Sequence, residues 1–212
     1  MMMKRIFFYF VACLLAITSI YAQSIIENGK GIINGHEYVD LGLSVKWATC
    51  NVGADSPSDY GNYYAWGEIT PKQDYLKTND VLLPKKTFKI SGDPRYDAAC
   101  ANWGDSWRLP TRKEIRELER KCRWVLTNID GIEGYKIVGP NGNHIFIPFA
   151  GYRYGKLLYY EKEYGFIWCE VADVRNMDVA YSLGFSFHFR GKGTELGWVY
   201  RYYGRTIRPV SD

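Results

Sequence analysis

The run Gly104-Asp105-Ser106-Trp107-Arg108-Leu109-Pro110-Thr111-Arg112-Lys113-Glu114 constrains the fold more than any other stretch of this chain. Pro110 fixes its own φ and holds Leu109 extended. Thr111 is then placed to cap a helix, and Glu114 stands three residues on, as a capping box requires. A loop end, a short strand, a rigid elbow and a helix start are packed together, which predicts a structural pivot rather than a catalytic loop. In the helix that follows, Ile115, Leu118 and Cys122 fall at i, i+3 and i+7 and share one buried stripe. Glu117 and Lys121 pair at i, i+4 on its wet side.

The N-terminus has the anatomy of a signal peptide over residues 1–22. Lys4 and Arg5 supply the basic region, and Ile6 to Ile17 form an apolar core too short to span a bilayer. Thr18 to Ala22 offer a processing site, with the cut placed after Ala22. Val11-Ala12-Cys13 has the outline of a lipoprotein box, but the apolar run continues past it, which argues against lipidation at Cys13. No later stretch is long and apolar enough for a membrane helix. The chain is therefore expected to be exported, to the periplasm, the cell surface or the exterior. Processing removes two basic residues and no acidic ones, so the net charge of +4 falls to +2. Near-neutrality argues against a nucleic-acid partner. After a polar lead over residues 23–34, residues 35–212 read as one domain, without repeat, linker or low-complexity segment.

Cys50, Cys100, Cys122 and Cys169 remain after processing, an even count that in an exported chain predicts two disulfides, with three pairings open. None forms a CxxC motif, so a zinc site is not indicated. None stands in a recognisable motif with His36, His144 or His188, so a catalytic thiolate is not indicated either.

Along the domain, His36 to Leu43 reads as a strand entering a glycine turn, and Val45, Trp47 and Thr49 alternate as a half-buried strand. Tyr63 to Glu68 reads as a short aromatic strand, and residues 69–94 as a surface excursion. Tyr96 to Asn102 is predicted to be a short helix, which Asp97 caps or braces. From Gly134 the pattern is β. Tyr135–Val138 and His144–Phe149 flank a Gly-Pro-Asn-Gly-Asn turn, Phe166–Val171 and Val179–Phe189 are strands, and Trp198–Tyr203 with Thr206–Val210 reads as a final hairpin. Two short helices with a largely later antiparallel sheet define an α+β domain.

Five ordered motifs carry a family resemblance: EYVDLGLSVKWATCNVGA (37–54), YGNYYAWGE (60–68), YDAACANWGDSWRLPTRKEIREL (96–118), GPNGNHIFIPFAGYR (139–153) and GRTIRPV (204–210). Together they resemble the Fibrobacter succinogenes major paralogous domain, a family of exported, often surface-attached proteins. The resemblance implies a C-type-lectin-like fold, two short helices packed on twisted antiparallel sheets and braced by disulfides. It is related in architecture to the formylglycine-generating enzyme, and its C-terminal strand pairs with the N-terminal one. Relative to the family pattern, Cys100 and the Trp168-Cys169-Glu170 segment depart together. The resemblance thus implies a Cys100–Cys169 bridge, with Cys50–Cys122 as the bridge from strand to helix.

The motifs of calcium-dependent sugar binding, Glu-Pro-Asn or Gln-Pro-Asp with Trp-Asn-Asp, do not occur in the sequence. Asn102-Trp103-Gly104-Asp105 offers too few oxygens for calcium, which takes six to eight. The cysteines do not match a copper-oxidase pair. Asp40, Glu68, Asp97, Asp105 and Glu170 could serve a glycosidase, yet nothing in the sequence singles out two of them. No metal or cofactor is expected, and no catalytic residue is assigned. Two aromatic sets stand out instead: Tyr152, Arg153, Tyr154, Tyr159, Tyr160 and Tyr164, then Tyr200, Arg201, Tyr202, Tyr203 and Arg205. Rigid rings beside basic side chains suit glycan or protein recognition. The expectation is a non-enzymatic recognition module, against which stand a structural subunit of a surface assembly and an extracellular glycan-active enzyme.

Overall fold

Antiparallel strands dominate the computed structural model, which describes residues 29–80, 89–173, 175–176, 178–186 and 193–212. The segment expected to be a signal peptide, with Cys13, lies outside the described residues. Strands β1 (Lys30–Ile33), β2 (His36–Asp40) and β3 (Lys46–Ala48) come first, then helices α1 (Ala98–Trp103) and α2 (Arg112–Lys121). Nine further strands follow: β4 (Arg123–Ile129), β5 (Ile132–Val138), β6 (His144–Pro148), β7 (Tyr152–Tyr154), β8 (Leu157–Tyr159), β9 (Tyr164–Ala172), β10 (Val179–Ser186), β11 (Thr194–Tyr200) and β12 (Val210–Ser211). They make four sheets, ordered β1-β2-β3-β12, β4-β5-β6, β11-β10-β9 and β7-β8. The class is α+β, mainly β.

Pleat alternation along the β9–β11 sheet sends residues to opposite faces. Ile167, Leu183 and Phe185 enter one core with Trp47, Ile115, Leu118 and Ile147. Trp168, Ala172 and Ala180 enter a second core with Trp66, Trp103, Trp107 and Leu109. Burying large aromatics on both faces fixes this sheet as the centre of the domain.

The elbow acts as the expected pivot. Trp107 is enclosed and its Nε1 donates to the Ile33 carbonyl at 3.0 Å. Arg108 exchanges backbone hydrogen bonds with Val210, and Pro110 accepts from Glu170 N at 3.1 Å. The capping box is present: Glu114 N donates to Thr111 Oγ1 at 3.2 Å and Thr111 N to Glu114 Oε2 at 2.7 Å. Arg108 adds a two-pronged contact to Glu114 at 2.9 and 2.8 Å. Thr111→Ala is expected to cost about 1 kcal/mol in urea unfolding, the ordinary worth of a cap.

Burial pushes the Glu114 carboxyl up, but the Arg108 fork and the Thr111 N–H outweigh it and leave its pKa below the usual glutamate value. Stability from such a group is present above the unfolded-state pKa, about 4.3, and is lost as pH falls through the folded one. Urea midpoints should therefore drop on acidification below pH ~4, and Glu114→Gln should flatten that slope. An unchanged acid slope in the variant would remove Glu114 from the account.

Asp97 organises the helix pair. Its fully enclosed carboxylate accepts from Ala99 N (2.9 Å), Cys100 N (3.3 Å), Gly92 N (2.7 Å) and Leu109 N (2.8 Å). One side chain thus caps α1 and ties it to the loop before it and the elbow after it. Burial raises its pKa against the pull of these four N–H groups.

The structure departs from the expectations at four places. Cys50, Cys100, Cys122 and Cys169 are all free thiols, so neither implied disulfide is present. Cys100 turns its Sγ to the Gly92 carbonyl at 3.6 Å, and Cys50 lies beside Thr49 Oγ1 at 3.6 Å. Cys122 follows α2, half-buried, and Cys169 is enclosed on β9, with burial pushing their thiols up to about 11 and about 12. Trp66 Nε1 donates to the Cys169 carbonyl at 2.8 Å and ties β9 to the 60–68 segment. Tyr63 to Glu68 is not a strand; only Tyr64 forms a bridge, with Arg205. Strand β4, not expected, pairs with β5 across an Asp130-Gly131 turn whose φ values of 52° and 85° are those of a tight hairpin. The final hairpin is also absent: β11 pairs with β10, while β12 crosses to β3. The outer part of the strand expected to Phe189 lies outside the described residues. Among the described residues, no helix is long and apolar enough to cross a membrane.

Candidate functional site

The two aromatic sets meet. The β7–β8 hairpin sets Tyr152 opposite Tyr159, and Gly155 turns it with φ +56°. Backbone bonds between Arg153 and Gly204, at 2.8 and 2.9 Å, dock the 200–205 segment beside it. Tyr160 takes a left-handed φ of 56° and accepts from Tyr164 N at 3.0 Å, which turns the chain back into β9.

The rings then form one network. Tyr152 stacks on Tyr203 at 5.2 Å and on Tyr159 at 5.6 Å. Tyr154 meets Tyr203 at 5.3 Å, Tyr200 stacks on Tyr202 at 5.2 Å, and Tyr202 meets Tyr203 edge-on at 5.2 Å. Tyr160 packs on Tyr164 at 5.1 Å, and Phe166 joins through Tyr152 at 5.6 Å. All eight expected tyrosines belong to it. Tyr152 and Tyr203 lie inside, half-buried, whereas Tyr154, Tyr160 and Tyr200 are 41%, 52% and 48% exposed. Burial and neighbouring hydroxyls raise the pKa values of Tyr152, Tyr202 and Tyr203.

The three arginines separate. Arg153 is half-buried over the Tyr63 ring at 5.0 Å and lines a polar cavity of about 440 Å³ with Asn62, Lys72, Gln73 and Lys156. Arg201 faces inward, ion-paired with Asp80 at 2.7 Å, both side chains being under a tenth exposed. Arg205 is buried on Phe166. Of the carboxylates considered for hydrolysis, Asp97 holds backbone, Glu68 pairs with Lys72 at 2.7 Å, and Asp40 accepts from Gly42 N at 2.7 Å. Asp105 is exposed, and burial raises the pKa of Glu170.

A second concavity was not foreseen. Arg112, Lys113, Arg116, Arg120 and Lys121 on α2, with Lys89, Glu117 and Glu170, line a groove of about 860 Å³. The i, i+4, i+8 spacing of Arg112, Arg116 and Arg120 carried that signal. Arg112 lies over Tyr181 at 3.8 Å, and Lys121 pairs with Glu117 at 2.7 Å.

No family model matches the chain, and no solved structure matches it. It is similar over 70 residues, at 27% identity, to the peroxisomal membrane protein PEX23 of Ogataea parapolymorpha. Those residues are 32% of this chain and 13% of that protein, so the chain spans a small fraction of that relative's length.

Proposed function

We propose that this chain is an exported, C-type-lectin-like recognition module of the Fibrobacter succinogenes major paralogous domain type. It binds a glycan or protein ligand outside the cytoplasm, without a metal and without catalysis. The observation that carries the reading is the gathering of two sequence-distant tyrosine sets into one network with three rings open to solvent. Tyrosine presents a large rigid face at low entropic cost with a polar tip, and is over-represented where binding energy concentrates. The return of β12 to the N-terminal sheet supports the lectin-like layout.

The test is a glycan array with the mature chain, run with calcium and again with chelator. Binding is expected to survive chelator and to fall at least tenfold in Tyr160→Ala, about 1.4 kcal/mol for one lost stacking face. Binding that vanishes with chelator would overturn the metal-independent reading. Silence in both conditions would count against a glycan and direct the search to a protein ligand.

A further inference from the structure

Among the described residues, no carboxylate forms an ion pair with Arg205. The Arg205 side chain is 7% exposed and lies 4.2 Å from the Phe166 ring centre, 5.5 Å from Trp168 and 5.8 Å from Tyr152. Its Nε is enclosed without a hydrogen-bond partner, and the ionisable groups acting on it are Tyr152 and Tyr203, not carboxylates. Ring contacts offset part of the desolvation, but an unpaired buried ion remains costly, and burial pushes its pKa down to about 9. Arg208, also enclosed, has one nitrogen without a hydrogen-bond partner, Nη2, but its others donate to Asn51 Oδ1 at 2.9 Å and to two carbonyls.

Arg205 borders a cavity of about 160 Å³ over the β9–β10–β11 sheet. Register places Phe166, Gly184 and Glu195 in one row and Ser182 and Gly197 in the next, all on the same face. Glycine weakens a strand interior and marks sites where another group approaches closely. Gly197 has no positive φ to require it, and a Cβ built there meets nothing nearer than Glu195 Oε1 at 3.9 Å. The space above it is open. At roughly 30 Å³ per water, the cavity admits a carboxylate and its carrier carbon but not a whole sugar. Phe166, on the cavity wall, links it to the tyrosine network, whereas the Trp198 ring packs on Tyr181 on the opposite face of the sheet.

We propose that this cavity takes the carboxylate of an acidic sugar, a uronic acid within a glycan, with Arg205 as its donor and the sugar body lying toward Phe166 and the tyrosine network. This rests on the glycan reading above. Glu195, on the cavity wall, is then a like charge that weakens binding.

The test is titration calorimetry of the mature chain with tri-galacturonic acid and with its methyl ester. The acid should bind at least tenfold more tightly, as a charge-assisted hydrogen bond predicts. Arg205→Ala could fail to fold, so the deciding variant is Gly197→Val, which fills the cavity and leaves every charge in place. It should erase the preference for acid over ester while the urea midpoint holds, and Glu195→Gln should tighten the acid. Arg116→Ser, in the α2 groove, should leave the preference intact. Equal affinity for acid and ester, a preference that survives Gly197→Val, or one lost in Arg116→Ser would each overturn the proposal. If Tyr160→Ala weakens both probes and no acid preference exists, the tyrosine surface stands and the cavity falls. If the cavity sets the preference and Tyr160→Ala changes nothing, the reverse holds. Silence with both probes overturns it.

Discussion

Replacement of Asp97 by alanine is expected to bring the domain close to unfolding. Four backbone N–H groups from three segments converge on this enclosed carboxylate. A buried donor left unsatisfied costs about 1–3 kcal/mol, so the four together represent about 4 kcal/mol or more, a large part of the 5–15 kcal/mol that holds an ordinary domain. Asp97→Asn separates the contributions. Its remaining oxygen can still cap α1, but its NH₂ would face the Gly92 and Leu109 donors, so roughly half the loss should persist. Urea unfolding measures both. An alanine variant within about 1 kcal/mol of the parent would mean that the carboxylate is not the organising group.

Arg201→Ala is expected to destabilise the domain by about 3–5 kcal/mol, the usual result of removing one partner from a buried ion pair. Burial pushes the Asp80 carboxyl up, and Arg201, with a smaller pull from Lys72, opposes it. Truncation leaves that carboxylate enclosed and without its ion-pair partner. The double variant Asp80→Leu with Arg201→Met should recover much of the loss, because a well-packed apolar pair is often no worse than a buried ionic one. Should Arg201→Ala keep full stability and lose only binding, Arg201 would return to the list of ligand contacts.

The contrast between these two residues shows what local sequence can disclose. Asp97 precedes a short helix at the position where acceptors cap, and chemistry within three residues predicts its part. The elbow, the capping box and the apolar stripe of α2 were legible for the same reason. Arg201 and Arg205 lie beyond the end of β11, in turns and single bridges without a period. Nothing local tells which side of the chain such a residue faces, and the partners that draw them inward, Asp80 and Phe166, are distant or on another strand. The tyrosines were identified, but their union depends on the Arg153–Gly204 bridge, a long-range pairing. Strand β4 was readable in principle from Asp130-Gly131 between apolar runs. An even cysteine count in an exported chain carries no geometry, and the pairing that the family resemblance implies does not bring Cys100 to Cys169 or Cys50 to Cys122 as bridges here.

The pairing of β12 with β3, together with Arg208 reaching Asn51 across 157 positions, also sets an order in time. The first sheet lacks its β12 edge, and the Asn51 turn lacks its arginine, until residues 208–211 have been synthesised. Contacts of such long sequence separation make for slow folding, on the millisecond-to-second scale typical of non-local β architectures. A nascent chain still short of residue 208 holds its N-terminal third without these partners.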